Sequence, residues 1–381
     1  MRLVVVLAGI AVLVLAAIMI PCLVGAGELP QGSNYALLDP IRSGNLTVFP
    51  VVSSKSYDTT EFLTLDEGLK SGEVVVSEAG QVQGLIRRRP GTRSRPQPAD
   101  GAEVNRLVLV NNSSRPLLLL AGEIVTGGKQ DRVIGKDRIV PAESDPVDLS
   151  VFCVEPGRWV ATNGKNEFGT SNSNRVALFA APAVRSKAMD AKNQQQVWDS
   201  VRGSQRAMAE AVQVTGAAPQ VNGETSYSGV INNQEVLKKV DSVAEPIRRD
   251  YESVIRQLRS KNAVGVVVAV NGELVWADIF ASTQLLQKYW PKLVRSYAAE
   301  AVVTRAKSAE VSVKDAQKFL SELQGRHETA DTEPGVYRQS EVSGDGFKVF
   351  ELTSLLPKTG FTVHVAKMAN DDGGHPPKVI Y

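Results

Sequence analysis

The sequence predicts an α+β protein: a β-rich amino-terminal half with antiparallel or mixed sheet, long helices in the middle, and a β-hairpin with further helices toward the carboxyl terminus. Three observations lead there. Short runs rich in Val, Leu and Ile, separated by turn residues, fill residues 45–181, and such residues suit a pleated, half-buried strand. From Ala183 to about residue 262 the apolar period lengthens to that of helices. The β runs and helical runs are thus segregated rather than alternating, which favours α+β over a doubly wound parallel sheet.

At the amino terminus, Met1 and Arg2 precede a nearly uninterrupted apolar run from Leu3 to Val24, then Gly25, Ala26 and Gly27. A positive start, an apolar stretch and small residues before a cut site make residues 1–26 a secretory signal peptide, cleaved after Ala26. The alternative is a membrane anchor over residues 3–24, a run long enough to span a bilayer if retained. The expected location is extracytoplasmic, periplasmic or secreted, with membrane contact only if the segment stays attached. Pro21 before Cys22 lacks the small residue that a lipid-attachment site needs. Cleavage would leave Cys153 as the mature chain's one cysteine, so no internal disulfide is expected. Among 381 residues, 43 Lys and Arg face 41 Asp and Glu, a balance that gives no field for nucleic acid.

Candidate strands are 45–52, 72–77, 106–110, 116–121, 138–140 and 147–154. In the last of these Val147, Leu149, Val151 and Cys153 alternate on one face, which predicts a buried thiol. Residues 87–98 carry five arginines and three prolines and read as a solvated surface loop. Helices are expected over 190–214 and 233–261, separated by the polar stretch 215–229, with Pro246 kinking or splitting the second. Two apolar runs about Asn271-Gly272 predict an antiparallel hairpin over 263–280, because both residues accept the positive φ of a type I′ turn. Ser282 caps a helix bearing Leu285, Leu286, Tyr289, Trp290 and Leu293, disturbed by Pro291. A further helix over 312–324 precedes a strand pair at 347–352 and 361–367. The organisation read from this is a domain over 27–306 (β-rich 45–181, helical 183–262, hairpin plus helix 263–306) with residues 307–381 packed on it.

Polar residues concentrate at two strand ends. One is Gly122-Glu123 followed by Gly127-Gly128-Lys129-Gln130-Asp131-Arg132, where glycines let the backbone turn tightly or approach a ligand closely. The other is Cys153-Val154-Glu155-Pro156-Gly157-Arg158-Trp159. The spacing of Gly122 and Gly127 imitates a phosphate loop, but Gly128, Lys129 and Gln130 stand where such a loop needs Lys and then a hydroxyl for Mg²⁺. His327, His364 and His375 are isolated, so no metal and no cofactor is expected. There is no Gly-x-Ser-x-Gly elbow. The expected ligand set is Glu123, Lys129, Gln130, Asp131, Arg132, Glu155, Arg158 and Trp159. Three cations, Lys129, Arg132 and Arg158, beside Glu123 and Glu155 would favour a small anion. Two alternatives stay open: a non-enzymatic interaction protein whose clusters are a buried ion-pair network, and a hydrolase with Glu123 or Glu155 as general base.

Together with Asn45-Leu46-Thr47-Val48-Phe49-Pro50, Leu65-Asp66-Glu67-Gly68-Leu69, Val197-Trp198, the segment Trp276 to Phe280 and the helix Tyr289 to Tyr297, these residues resemble the ARG- and rhodanese-phosphatase-superfamily-associated protein family over roughly residues 45–301. The family name implies association with ADP-ribosylglycohydrolase-like and rhodanese-phosphatase proteins, hence an ADP-ribose or NAD-derived ligand. The chain departs from the family pattern in its Arg- and Pro-rich loop and after Ala306.

Overall fold

The computed structural model describes residues 35–78, 106–157, 168–169, 177–305 and 309–370. Residues 1–26, expected to be a signal peptide, residues 87–98, expected to be a surface loop, and Arg158 and Trp159 lie outside the described residues. The chain runs through β1 (Tyr35–Leu37), β2 (Ile41–Ser43), β3 (Leu46–Ser53), β4 (Leu63–Thr64), α1 (Leu65–Ser71), β5 (Val74–Glu78), β6 (Arg106–Asn111), β7 (Leu117–Leu119), β8 (Ile124–Gly127), β9 (Arg132–Ile134), β10 (Arg138–Val140), β11 (Val147–Cys153) and β12 (Phe168–Gly169). Helices follow: α2 (Pro182–Ser186) running into a π turn (Lys187–Ala191), α3 (Gln194–Ala211), α4 (Ala218–Gly223), α5 (Tyr227–Ile231) and α6 (Gln234–Gln257). Then come β13 (Asn262–Val270), β14 (Glu273–Phe280), α7 (Thr283–Val303), α8 (Val313–Ser321), β15 (Arg326–Glu333), β16 (Tyr337–Gly344), β17 (Phe347–Ser354) and β18 (Thr362–Ala369). The protein is α+β, and among the described residues no helix is long and apolar enough to cross a membrane.

Local chemistry sets most element ends. Thr64 and Glu67 form a reciprocal capping box at the start of α1, and Asn193, Asn233, Ser282 and Ser312 cap α3, α6, α7 and α8. The helical period expected from 190 starts as the π turn, ends on Lys192 in the left-handed region, and restarts at Asn193. Pro246 does not split α6. A proline interrupts only its own N–H bond and crowds one carbonyl, while Val240, Ala244, Ile247 and Tyr251 hold one face in the core and Arg295 on α7 pairs with Asp241 and Glu245, both just ahead of the proline. The polar stretch 215–229 contains the short helices α4 and α5.

Strand pairing departs from sequence order. A nine-stranded antiparallel sheet runs β1-β3-β13-β14-β18-β17-β16-β15, with β2 also on β3. The amino-terminal β strands therefore do not form one sheet among themselves: β1 to β3 join the carboxyl-terminal strands, and β4 to β12 make two smaller sheets, in one of which β4 and β7 pair in parallel. The β15–β16 hairpin was not foreseen, since its polar segment alternates too weakly to read as strand.

Both faces of the large sheet are buried at its central strands. In β13, Val266, Val268 and Val270 enter the main core beneath α6 and α7, while Val267 and Ala269 enter a second core beneath α8. Lys367 on β18 faces α8, where its ammonium donates to the carbonyls of Phe319 and Glu322 and lies over the Phe347 ring; burial lowers its pKa to about 7. In β14, Trp276 and Phe280 reach the main core and Ala277 and Ile279 the second, so Asp278, alternating with them, points toward the helices.

At the hairpin, Asn271 (φ 54°) and Gly272 (φ 77°) adopt the left-handed backbone of the expected turn, and the Asn271 amide donates to the Arg305 carbonyl at 2.8 Å. Asn271→Ala is expected to destabilise the fold by about 2 kcal/mol, from left-handed strain plus the lost hydrogen bond, and Asn271→Gly by about half of that. Urea unfolding at unchanged m-value checks both.

Candidate functional site

The large sheet, α7 and the β7–β10 segment meet at a buried charge centre. His364 on β18 and Asp278 on β14 occupy diagonal positions of one sheet face, since Phe280 pairs with His364 and Asp278 with Ala366. The imidazole sits between two carboxylates: Nδ1 lies 2.5 Å from Asp137 in the β9–β10 turn and Nε2 lies 3.1 Å from Asp278. A neutral ring donates from only one nitrogen, so acceptors at both hold the ring as imidazolium. Burial opposes the charge, but Asp137 and Asp278 outweigh it and raise the His364 pKa to about 9.

Asp278 has three partners. Besides His364 it accepts from Arg185 Nη1 at 2.8 Å and from the Tyr297 hydroxyl. Burial pushes its carboxyl up; the Arg185 guanidinium and His364 more than reverse this and hold it well below the usual carboxylate range. Asp137 also accepts from the Ala121 amide at 2.7 Å, tying the small sheets to the centre. Arg185 comes from α2, its Cζ 4.7 Å from the Phe179 ring centroid and 4.5 Å from that of Trp276. Gly122 permits this packing: at φ 100° its backbone lies so close that a Cβ would stand 2.5 Å from Phe179 and 2.8 Å from Arg185.

A second group adjoins the first. Lys292 on α7 donates to Glu123 at 2.5 Å and to Asp66 of α1 at 2.6 Å. The capping box that starts α1 presents Asp66 to Lys292 and Glu67 to Lys288. Burial would lower the Lys292 ammonium, but Glu123 and Asp66 raise it. Glu123 is pushed up by burial, and Lys292, shared with Asp66, does not fully offset that. Both its oxygens are engaged, the second by the Leu120 amide at 2.8 Å.

The sequence-predicted residues thus divide. Glu123 joins Lys292 and Asp66, whereas Lys129 to Asp131 lie in the turn beyond the other end of the four-residue β8, about 13 Å along the strand, and Arg132 comes back on β9 opposite Val125. There the carboxylates shape a turn: Asp131 accepts from the Gly127 amide and from the hydroxyls of Ser226 and Ser228, Glu155 from the Asp131 amide, and Glu78 from the Lys129 amide. Gln130 donates to the Glu155 carbonyl, and Arg132 is fully buried beside Cys153, its partner across the strands. Cys153 is buried and free, its thiol pushed up by burial. An open cavity of about 340 Å³ lies nearby, between α4, α5 and the start of α6, lined by Gln220, Glu224, Asn232 and Asn233. Among the described residues no group of three or more His, Cys, Asp and Glu is placed to hold a metal ion.

Sequence reasoning missed Asp66, Asp137, Arg185, Asp278, Lys292, Tyr297 and His364. The available signal was a charged residue at an inward position of an apolar strand, as in Trp276-Ala277-Asp278-Ile279-Phe280 and Val363-His364-Val365.

A family model for the ARG and Rhodanese-Phosphatase-superfamily-associated Protein domain matches residues 34–368. The chain belongs to this family. The match continues past Ala306 and includes β18, so His364 lies within the family domain together with Glu123, Arg185 and Asp278. No curated protein and no solved structure matches the chain.

His364 gives the domain a pH dependence of known sign. With its pKa raised from 6.5 to about 9, the imidazolium contributes stability fully present below pH 6.5 and lost as pH rises through about 9. The stability difference between wild type and His364→Gln should therefore be largest below pH 6.5 and shrink toward pH 9. Taking that difference cancels Lys367, whose lowered pKa acts in the opposite direction. Denaturant titrations across this range provide the measurement, and a pH-independent difference would show that the ring is neutral.

Proposed function

We propose that this chain is an exported binding protein for a small anionic ligand of the ADP-ribose or NAD-derived kind, and that the ligand is recognised at the buried charge centre. One observation carries the reading. Seven ionisable side chains, Asp66, Glu123, Asp137, Arg185, Asp278, Lys292 and His364, come from separate segments into one interior region, and all but Asp66 are at most 5% exposed. Apolar replacement of buried ion pairs is often neutral or stabilising, so charge burial on this scale is better explained by function than by stability. The kind of ligand follows from the family's association with ARG and rhodanese-phosphatase proteins. Export follows from residues 1–26.

A second reading has a specific observation behind it. Every carboxylate oxygen of Glu123, Asp137 and Asp278 already accepts a hydrogen bond from the protein, as in a structural ion-pair network. Thermal unfolding with ADP-ribose, AMP, phosphate and acetate separates the two. A ligand at a hundred times its Kd should raise Tm by about 3 to 5 °C, and no shift with any of them would favour the structural network. N-terminal sequencing of the fractionated protein should begin at Gly27 in the extracytoplasmic fraction. Recovery of intact Met1 in membranes would replace export with anchoring.

A further inference from the structure

We infer that the Nε–Nη2 edge of Arg185 is an oxyanion seat, on which the ligand proposed above places the paired oxygens of a carboxylate or phosphate group; the inference rests on that reading of the charge centre. A guanidinium has five N–H donors in a fixed plane. Asp278 takes one, at Nη1. Nε and Nη2 direct parallel N–H bonds along one side of the plane, and neither finds an acceptor among the described residues although the side chain is 1% exposed. Orphaned buried donors are rare in folded proteins. Here two stand side by side at the spacing that a carboxylate or phosphate accepts in bidentate fashion.

The surroundings narrow the complement. All six carboxylate oxygens of Glu123, Asp137 and Asp278 are in use, so none of the three carboxylates is left to meet the Arg185 donors. The Trp276 indole, whose ring lies against the guanidinium, also has no acceptor for its N–H among the described residues. Leftover donors call for oxygen acceptors. The approach is from the Lys292 side, since Phe179 lies against both Arg185 and Lys292, at 4.7 and 5.8 Å, and Asp66 beyond them is 31% exposed. Entry therefore requires the Phe179 ring to turn aside.

Charge adds a consequence. Asp66, Glu123, Asp137 and Asp278 outnumber Arg185, Lys292 and His364, and Tyr289 and Tyr297 face the same interior without adding a cation. The His364 imidazolium offsets part of that excess, so the affinity for an arriving oxyanion falls as pH rises through about 9, where the ring loses its proton.

Calorimetric titration of the full mature chain with inorganic phosphate, acetate and ADP-ribose tests the seat. Arg185→Lys keeps a cation beside Asp278 and removes the fork, so it should weaken binding by about 10- to 150-fold. Trp276→Phe keeps the ring and removes one donor, and should weaken binding several-fold. If Arg185→Lys does not fold, Trp276→Phe decides. Should wild type bind while the folded variants bind equally well, or with no pH dependence, the seat is overturned and the reading of a binding protein stands. Should none of the three probes bind wild type, the binding reading itself fails and takes the seat with it.

Discussion

The imidazolium of His364, held between Asp137 and Asp278, is the interaction on which the arrangement of layers depends. Each of its partners brings a different part of the chain. Asp278 and His364 fix β14 against β18 within the large sheet, Asp137 attaches the small sheets through the β9–β10 turn, and Arg185 and Tyr297 bring α2 and α7 onto Asp278. These groups have left water, and a buried pair that loses one member leaves a charge with no solvent to stabilise it, at about 3 to 5 kcal/mol. The network is therefore cooperative: removing the ring would leave two carboxylates facing each other, and removing Asp278 would strand an arginine and a histidine together.

Short-range features of the fold were legible in the sequence. The β10 strand, the Asn271-Gly272 turn and the Ser282 cap each depend on a few adjacent residues, and β11 shows the alternation that buries Leu149, Val151 and Cys153. Pairing across the chain was not legible. Nothing in residues 46–53 announces a partner more than two hundred residues away, because β13 would satisfy any equally apolar strand. The site escaped for a related reason. His364 stands 86 residues from Asp278 and 227 from Asp137, so no local spacing links them. A search for metal-ligand spacing dismisses such a histidine, whereas asking why a strand buried on both faces carries a charge would have retained it.

The division of the polar strand ends has a geometric cause. Gly122-Glu123 and Gly127 to Asp131 look continuous in sequence, but β8 between them is extended, and extension separates what proximity in sequence suggests is joined. Glu123 then meets α7, whose Lys292 is presented on the same stripe as Tyr289 and Ser296. Asp131 meets α5 through Ser226 and Ser228. One sequence motif serves two neighbourhoods.

Those neighbourhoods use charge differently. At the Gly127–Arg132 turn the carboxylates of Asp131, Glu155 and Glu78 accept from backbone amides, the usual way a tight turn satisfies N–H groups that have no strand partner. At the central site Glu123, Asp137 and Asp278 are equally occupied, yet Nε and Nη2 of Arg185, 1% exposed, find no acceptor among the described residues. A network built only to hold the fold together is expected to close on both its donor and its acceptor sides, because each unpaired buried group counts against stability. Among the described residues this one closes at Glu123, Asp137 and Asp278 and stays open at the guanidinium. Under the binding function proposed above the asymmetry has a physical use: a protein whose ligand supplies oxygen acceptors gains by holding matching donors in place before the ligand arrives, since the ordering and desolvation are then already complete.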